Sequence, residues 1–227
     1  MNNFGKQALG VMAVALALGV SSTASAQSAK EWTFALGLKK ITPKVESGFL
    51  TAPTQPGVKN DVLPDTEPAL TVGYMLTDNI GVETFVAPPF KHDQIGTGSL
   101  QGTGKLGSVE SLPVTLLLQY VFFEPKATFR PRVAGGITYG YFRKATGSAQ
   151  LTALSNTGSS APTTFKVDNA WGTTFELGLT IAFNDKWYGD LNVAKSFLKT
   201  TSHFSTGQRI DVKLDPVTTG IAIGYRF

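Results

Sequence analysis

Apolar and polar residues alternate along most of this chain, and the alternation predicts β-strands. In segment 31–43, Trp32, Phe34, Leu36 and Leu38 fall on one face, and Thr33, Ala35, Gly37 and Lys39 on the other. Segment 109–123 opposes Leu112, Val114, Leu116, Leu118, Tyr120 and Phe122 to Ser111, Pro113, Thr115, Leu117, Gln119 and Val121. Segment 170–183 opposes Trp171, Phe175, Leu177 and Leu179 to Gly172, Thr174, Glu176 and Gly178. The same two-residue period runs through 67–76, 79–86, 130–143, 187–198 and 217–227, which brings the expected strands to eight. No segment sustains the i, i+3, i+4 spacing of an amphipathic helix, so no helix is expected.

The connections alternate in length. Thr77-Asp78, 124–129 and 184–186 are short and polar, whereas 44–66, 87–108, 144–169 and 199–216 are long and rich in Gly, Ser, Thr and Pro. This is the pattern of an all-β, eight-stranded antiparallel up-and-down barrel with its short turns gathered at one end.

Such a barrel hides its apolar face if soluble and exposes it if it crosses a membrane. An eight-stranded interior is only just filled by side chains. The apolar face carries Trp, Phe, Tyr or Leu on nearly every strand, which is too much volume for that lumen, while the opposite face of Gly, Ala, Thr and Ser fits. The apolar face is therefore expected to meet lipid, as a transmembrane β-barrel. Aromatic residues cluster accordingly. Trp32, Tyr74, Tyr120, Phe122, Phe183, Trp187, Tyr225 and Phe227 fall at the short-turn end, and Tyr139, Tyr141, Trp171 and Phe197 at the long-loop end. They form two girdles suited to the headgroup regions.

Residues 1–26 read as a signal peptide, with Lys6 ahead of the apolar run 8–20 and Ala24-Ser25-Ala26 as the cleavage site. Residues 27–227 then form the mature barrel, and the cell outer membrane is its expected location. The chain has no cysteine, which excludes disulfides and thiolate sites, and two histidines, too few for a multi-histidine metal centre. A net charge of +4 suits lipopolysaccharide phosphates better than nucleic acid, which is not an expected partner. His203 and Ser205 have the spacing of an acyl-transfer pair but fall in a loop with no Glu nearby in sequence, and His92 beside Asp93 reads as a surface loop pair. No catalytic residue, metal site or cofactor is expected.

Several stretches carry a family resemblance: Gly73-Tyr74-Met75-Leu76-Thr77-Asp78-Asn79-Ile80-Gly81-Val82-Glu83, Pro89-Phe90-Lys91-His92-Asp93, Phe122-Phe123-Glu124-Pro125-Lys126-Ala127, Asn184-Asp185-Lys186-Trp187 and Gly224-Tyr225-Arg226-Phe227. In these the chain resembles the OmpW-type outer-membrane proteins, a family of AlkL-like small β-barrels. The likeness covers nearly all of the mature chain, with loops 44–66 and 144–169 matching poorly. The resemblance implies an eight-stranded barrel that passes small hydrophobic molecules. It also implies that Phe227 serves as the signal read by the barrel-assembly machinery.

Sorting the inward residues by height yields two layers. Low in the lumen, Glu83, Gln119, Arg132, Asp190 and Arg226 are expected to pair as a charged plug, since unpaired charges in so narrow a space are costly. Higher up, Ile41, Phe85, Leu117, Phe142 and Leu198 are expected to form an apolar substrate pocket open to the long loops. A molecule in that pocket would be stopped by the floor and leave sideways into the bilayer. Pro88, Pro89 and Pro113 mark the expected lateral exit, because proline lacks the N–H that a strand ladder needs. The expected function is passive uptake of small hydrophobic molecules. The alternative is a non-transporting structural or adhesion barrel acting through its loops.

Overall fold

A computed structural model of the protein describes residues 28–51, 57–155 and 161–227. The expected leader, residues 1–26, lies outside the described residues. The first half of the chain forms β1 (Trp32–Thr42), β2 (Glu46–Ser47), β3 (Val58–Val62), β4 (Asp65–Met75), β5 (Ile80–Val86), β6 (Phe90–Gly98) and β7 (Lys105–Val121). The second half forms β8 (Phe129–Gly147), helix α1 (Ala149–Ser155), β9 (Phe165–Val167), β10 (Ala170–Ala182), β11 (Trp187–Phe197), β12 (Lys199–Phe204), β13 (Arg209–Lys213) and β14 (Val217–Arg226).

Eight of these strands close a barrel in the order β1, β4, β5, β7, β8, β10, β11, β14 and back to β1, every pairing antiparallel. The register follows the pattern read from the sequence. Phe34 stands opposite Val72 on one side and Tyr225 on the other, so apolar residues share the outer face. Leu36, Leu38, Val114, Leu116, Leu118, Phe175, Leu177, Ile221 and Ile223 are exposed, whereas Ala35, Thr115, Leu117, Gln119, Thr174 and Glu176 are buried. This inside-out distribution is that of a barrel whose solvent is hydrocarbon. The girdles form real ring contacts. Trp32 lies 4.9 Å from Tyr74 and Trp187 5.0 Å from Tyr225 at one end, and Tyr139 lies 4.8 Å from Trp171 at the other.

The short-turn end is tied by side chains. Asn79 Nδ2 donates to the carbonyls of Val121 (2.7 Å) and Phe123 (3.0 Å). Arg130 donates to those of Asp78 (2.7 Å) and Phe122 (3.2 Å). The carbonyls of Asp78, Phe122 and Phe123 lie in turns beyond the ladder, where backbone acceptors need other donors. The Phe227 N–H reaches the Trp32 carbonyl at 3.0 Å, which brings both ends of the barrel chain together at this rim.

The long-loop end differs from expectation in three ways. The connections are largely built from strands: β2, β13, β12 and β9 make a second, four-stranded sheet, and β3 pairs with β6. A helix is present, α1, which buries Leu151 with Val58, Leu100, Leu106 and Phe165 in a small apolar core. Strands of two to six residues and a seven-residue helix are too short to display a period, so they left no signal of their own. Finally, the expected third strand, 79–86, forms as β5, but the wall beyond it is interrupted and the expected loop 87–108 carries β6. β5 pairs with β7 as far as Thr84 opposite Leu116, and β6 resumes on the same β7 with Phe90 opposite Ser111.

Candidate functional site: an apolar lumen pocket over a charged floor

The upper lumen holds a cavity with about 80 Å³ open to the centre of a water-sized molecule. All five residues expected to form the pocket line it: Ile41 from β1, Phe85 from β5, Leu117 from β7, Phe142 from β8, and Leu198 from the link between β11 and β12. Ile41, Leu117 and Leu198 are buried from solvent. They face inward because each sits an even number of residues from small or polar lumen residues of the adjoining strand, such as Gly37 for Ile41, Thr115 for Leu117 and Ser196 for Leu198.

A hydroxyl chain crosses this wall. Thr115 Oγ1 lies 2.9 Å from Thr138 Oγ1, Thr138 2.6 Å from Thr174 Oγ1, and Thr174 2.7 Å from Ser196 Oγ. Four adjacent strands, β7, β8, β10 and β11, each supply one member. A hydroxyl both donates and accepts, so the chain satisfies itself without charge.

Below it lies the floor, centred on Arg132. Its Nη1 and Nη2 both contact the Asp190 carboxylate, the Nη2–Oδ1 distance being 3.1 Å. Nη2 also donates to Glu176 Oε1 at 3.1 Å and stands 3.8 Å from Glu83 Oε2. The arginine and its three carboxylates are all nearly or fully buried. Glu83, Arg132 and Asp190 are thus brought together as expected positions of the plug. Gln119 and Arg226 are not part of that cluster. Gln119 Nε2 points at Met75 Sδ, 3.9 Å away, and Arg226 stacks on the Tyr188 ring at 4.9 Å. Arg226 sits one rung from the short-turn rim, paired with Thr33, whereas Asp190 pairs with Ala222, four residues further up β14.

Glu176 completes the floor, a residue whose inward parity is legible in the sequence but whose height is not. Lys39 was likewise an inward residue: its Nζ lies 3.2 Å from Asn192 Oδ1 and 4.8 Å from the centre of the Phe85 ring. His92 corrects the sequence reading outright. It is no surface residue but is buried at 3% exposure, because β6 turns it into the cavity. Asp93, beside it, points outward to an ion pair with Lys105 at 2.7 Å, so this level of β6 stands clear of hydrocarbon. Burial pushes the His92 imidazole below its ordinary pKa.

Pro88 and Pro89 lie in the three residues between β5 and β6, within the stretch 85–89 that has no ladder pair to 112–115 of β7. Pro113 occupies the facing stretch and lines the cavity. Phe227 packs in the girdle against Phe34 and Tyr225, at 5.4 and 4.7 Å.

Above the pocket, within the loop crown, is a second cavity of about 220 Å³ on the same measure, lined by residues that include Leu50, Leu100, Leu151, Leu154 and Phe204. Asn60 and Gln94 line both cavities. His203 sits on β12 with Nε2 3.0 Å from Asp168 Oδ2, while the Ser205 hydroxyl accepts the Thr164 N–H at 3.0 Å. Among the described residues no hydrogen bond joins His203 to Ser205, and no cluster of three His, Asp or Glu could hold a metal.

Residues 30–227 match the OmpW family. Outer membrane protein W of Vibrio cholerae is 31% identical, over 98% of this chain and all of the relative. The dibenzothiophene metabolism operon protein PahQ of Pseudomonas aeruginosa is 26% identical, over 86% of this chain and 88% of the relative. Among solved structures, the outer membrane protein OprG of Pseudomonas aeruginosa superposes with a TM-score of 0.79 at 28% identity, covering 89% of this chain and 98% of that one.

Proposed function

The chain belongs to the OmpW family, and on that premise we propose that it is a passive conduit for small hydrophobic molecules. As an outer-membrane barrel it sits in lipid, and its girdles meet the headgroups. One observation carries the proposal. An apolar pocket stands above a closed, self-paired floor and beside an interruption in the barrel wall.

The steps follow from physical chemistry. A molecule arriving from outside reaches the crown cavity and then the pocket, shedding water from its apolar surface. Transfer of that surface supplies about 25 cal/mol per Å² and needs no other energy source. The Arg132 cluster blocks the way down, since a hydrocarbon cannot replace the hydrogen bonds of a buried ion group. The remaining path is lateral, through the wall at Pro88, Pro89 and Pro113, into hydrocarbon. The relative named for a dibenzothiophene operon supports a cargo of this chemical class. In this reading Phe227 is also the terminal residue presented to the assembly machinery, and the exposed basic residues of the crown meet lipopolysaccharide.

The test is Leu117→Asp, which sets a carboxylate among the pocket residues. Uptake of a hydrophobic probe by cells, and its binding to the purified barrel, are both expected to fall at least about tenfold. Parental uptake and binding in this variant would overturn the conduit in favour of a structural or adhesion barrel acting through its crown.

A further inference from the structure

The roof of the pocket carries polar groups that a purely apolar cargo would leave unused. It is made by the β3–β6 pair, in which Val62 stands opposite Gln94 and Asn60 opposite Gly96. His92 and Gln94 are two residues apart on β6 and share its inward face, and Asn60 lies diagonally across on the same face. All three line the pocket. Gly96 presents no side chain to pair with Asn60 across the strands.

Each of the three has hydrogen-bonding capacity to spare. His92 Nδ1 is 2.9 Å from the Leu63 carbonyl. A carbonyl only accepts, so Nδ1 carries the proton and the neutral ring keeps a lone pair on Nε2. Among the described residues Nε2 has no hydrogen-bond partner, and neither carboxamide does. Asn60 Oδ1 is sealed from solvent as well as unpaired. Buried polar groups are normally paired, and leaving one unpaired is costly. None of the three carries a charge, because burial holds the imidazole neutral.

We infer that the pocket prefers small hydrophobic molecules bearing a neutral hydroxyl group over the matching hydrocarbons, the hydroxyl pairing with His92 Nε2, Gln94 and Asn60. A hydroxyl suits the set because it donates to the imidazole lone pair or an amide oxygen and accepts from an amide N–H. The hydrocarbon body lies against Phe85, Leu117, Phe142 and Leu198 in the same cavity. A carboxylate or ammonium does not suit the roof, because none of its three groups is a counter-charge, and the charges that line the same cavity, Lys39, Glu83 and Glu176, are engaged with Asn192 and Arg132. This assignment rests on the pocket reading above and names its ligand class.

The experiment compares 1-naphthol with naphthalene, two probes that differ by one hydroxyl. Binding to the full mature barrel in lipid nanodiscs is measured at neutral pH, with empty nanodiscs subtracting partition into lipid. The parent is expected to hold 1-naphthol about tenfold more tightly. The triple change Asn60→Leu, Gln94→Met, His92→Phe is expected to bring the ratio to about one while naphthalene binding persists. Equal binding of the two probes by the parent overturns the inference and leaves the conduit standing. Absence of binding by either probe overturns both. Should the triple variant not fold, the comparison in the parent stands by itself, and Gln94→Met alone is expected to lower the ratio. A preference kept in full by a folded triple variant also overturns the assignment.

Discussion

Arg132 reaches Asp190 across an intervening strand. Arg132 is on β8 and Asp190 on β11, with β10 between them, yet both Nη atoms meet the carboxylate. The crossing passes over Gly178, which pairs with Arg132 in the β8–β10 ladder. A Cβ on Gly178 would stand 2.5 Å from Arg132 Cζ and 2.6 Å from its Nε. The lumen floor therefore depends on a residue without a side chain as much as on its charges.

Arg132→Ala leaves Glu83, Glu176 and Asp190 facing one another without their shared cation. A loss of about 3 kcal/mol in urea unfolding is expected, the usual scale for breaking a buried ion group. Ion leakage in planar bilayers should rise in the same variant. Unchanged unfolding together with unchanged conductance would sink the plug.

Gly178→Val tests the floor without touching a charge. Arg132 cannot yield cheaply, since its guanidinium is held by Glu176 and Asp190. Conductance and destabilisation in the direction of Arg132→Ala are expected. Gly135→Ala serves as the contrast, because a Cβ there meets only Phe175 at ordinary contact distance, 3.5 Å, and little change is expected. Equal behaviour of the two variants would show that the guanidinium does not need the space over Gly178.

Replacing Pro88, Pro89 and Pro113 with Val or Thr restores three N–H donors where β5, β6 and β7 fail to pair. A continuous wall would then part the pocket from lipid while the pocket residues stay in place. Cellular uptake of a hydrophobic probe should fall and binding to the purified barrel should persist. Transport at the parental rate would place the exit elsewhere.

Trypsin added to intact cells should cut only in the crown. Lys126 lies in a short turn at the opposite rim, and Arg130 beside it is fully buried with its guanidinium on turn carbonyls. Cleavage after Lys126 in intact cells, read by mass spectrometry, would reverse the orientation assigned to the barrel.

The two-residue period was enough to read the barrel: strand number, order, and which side chains meet lipid. In a closed antiparallel sheet, parity alone assigns each residue to lumen or lipid, and so all five pocket residues could be named from their positions. Parity is silent about height. Strand tilt and stagger set which inward residues share a level, and these are properties of the closed sheet. Hence Arg226 and Gln119, inward as read, sit apart from the Arg132 cluster, and Glu176, equally inward, completes it. Only the tertiary structure decided that His92 is buried, because its surroundings come from β6 folding over the lumen with β3 as its partner, a pairing between segments about thirty residues apart that neither segment announces by itself. The wall of this protein is written locally along the chain, whereas its floor and roof arise where distant strands come to the same height.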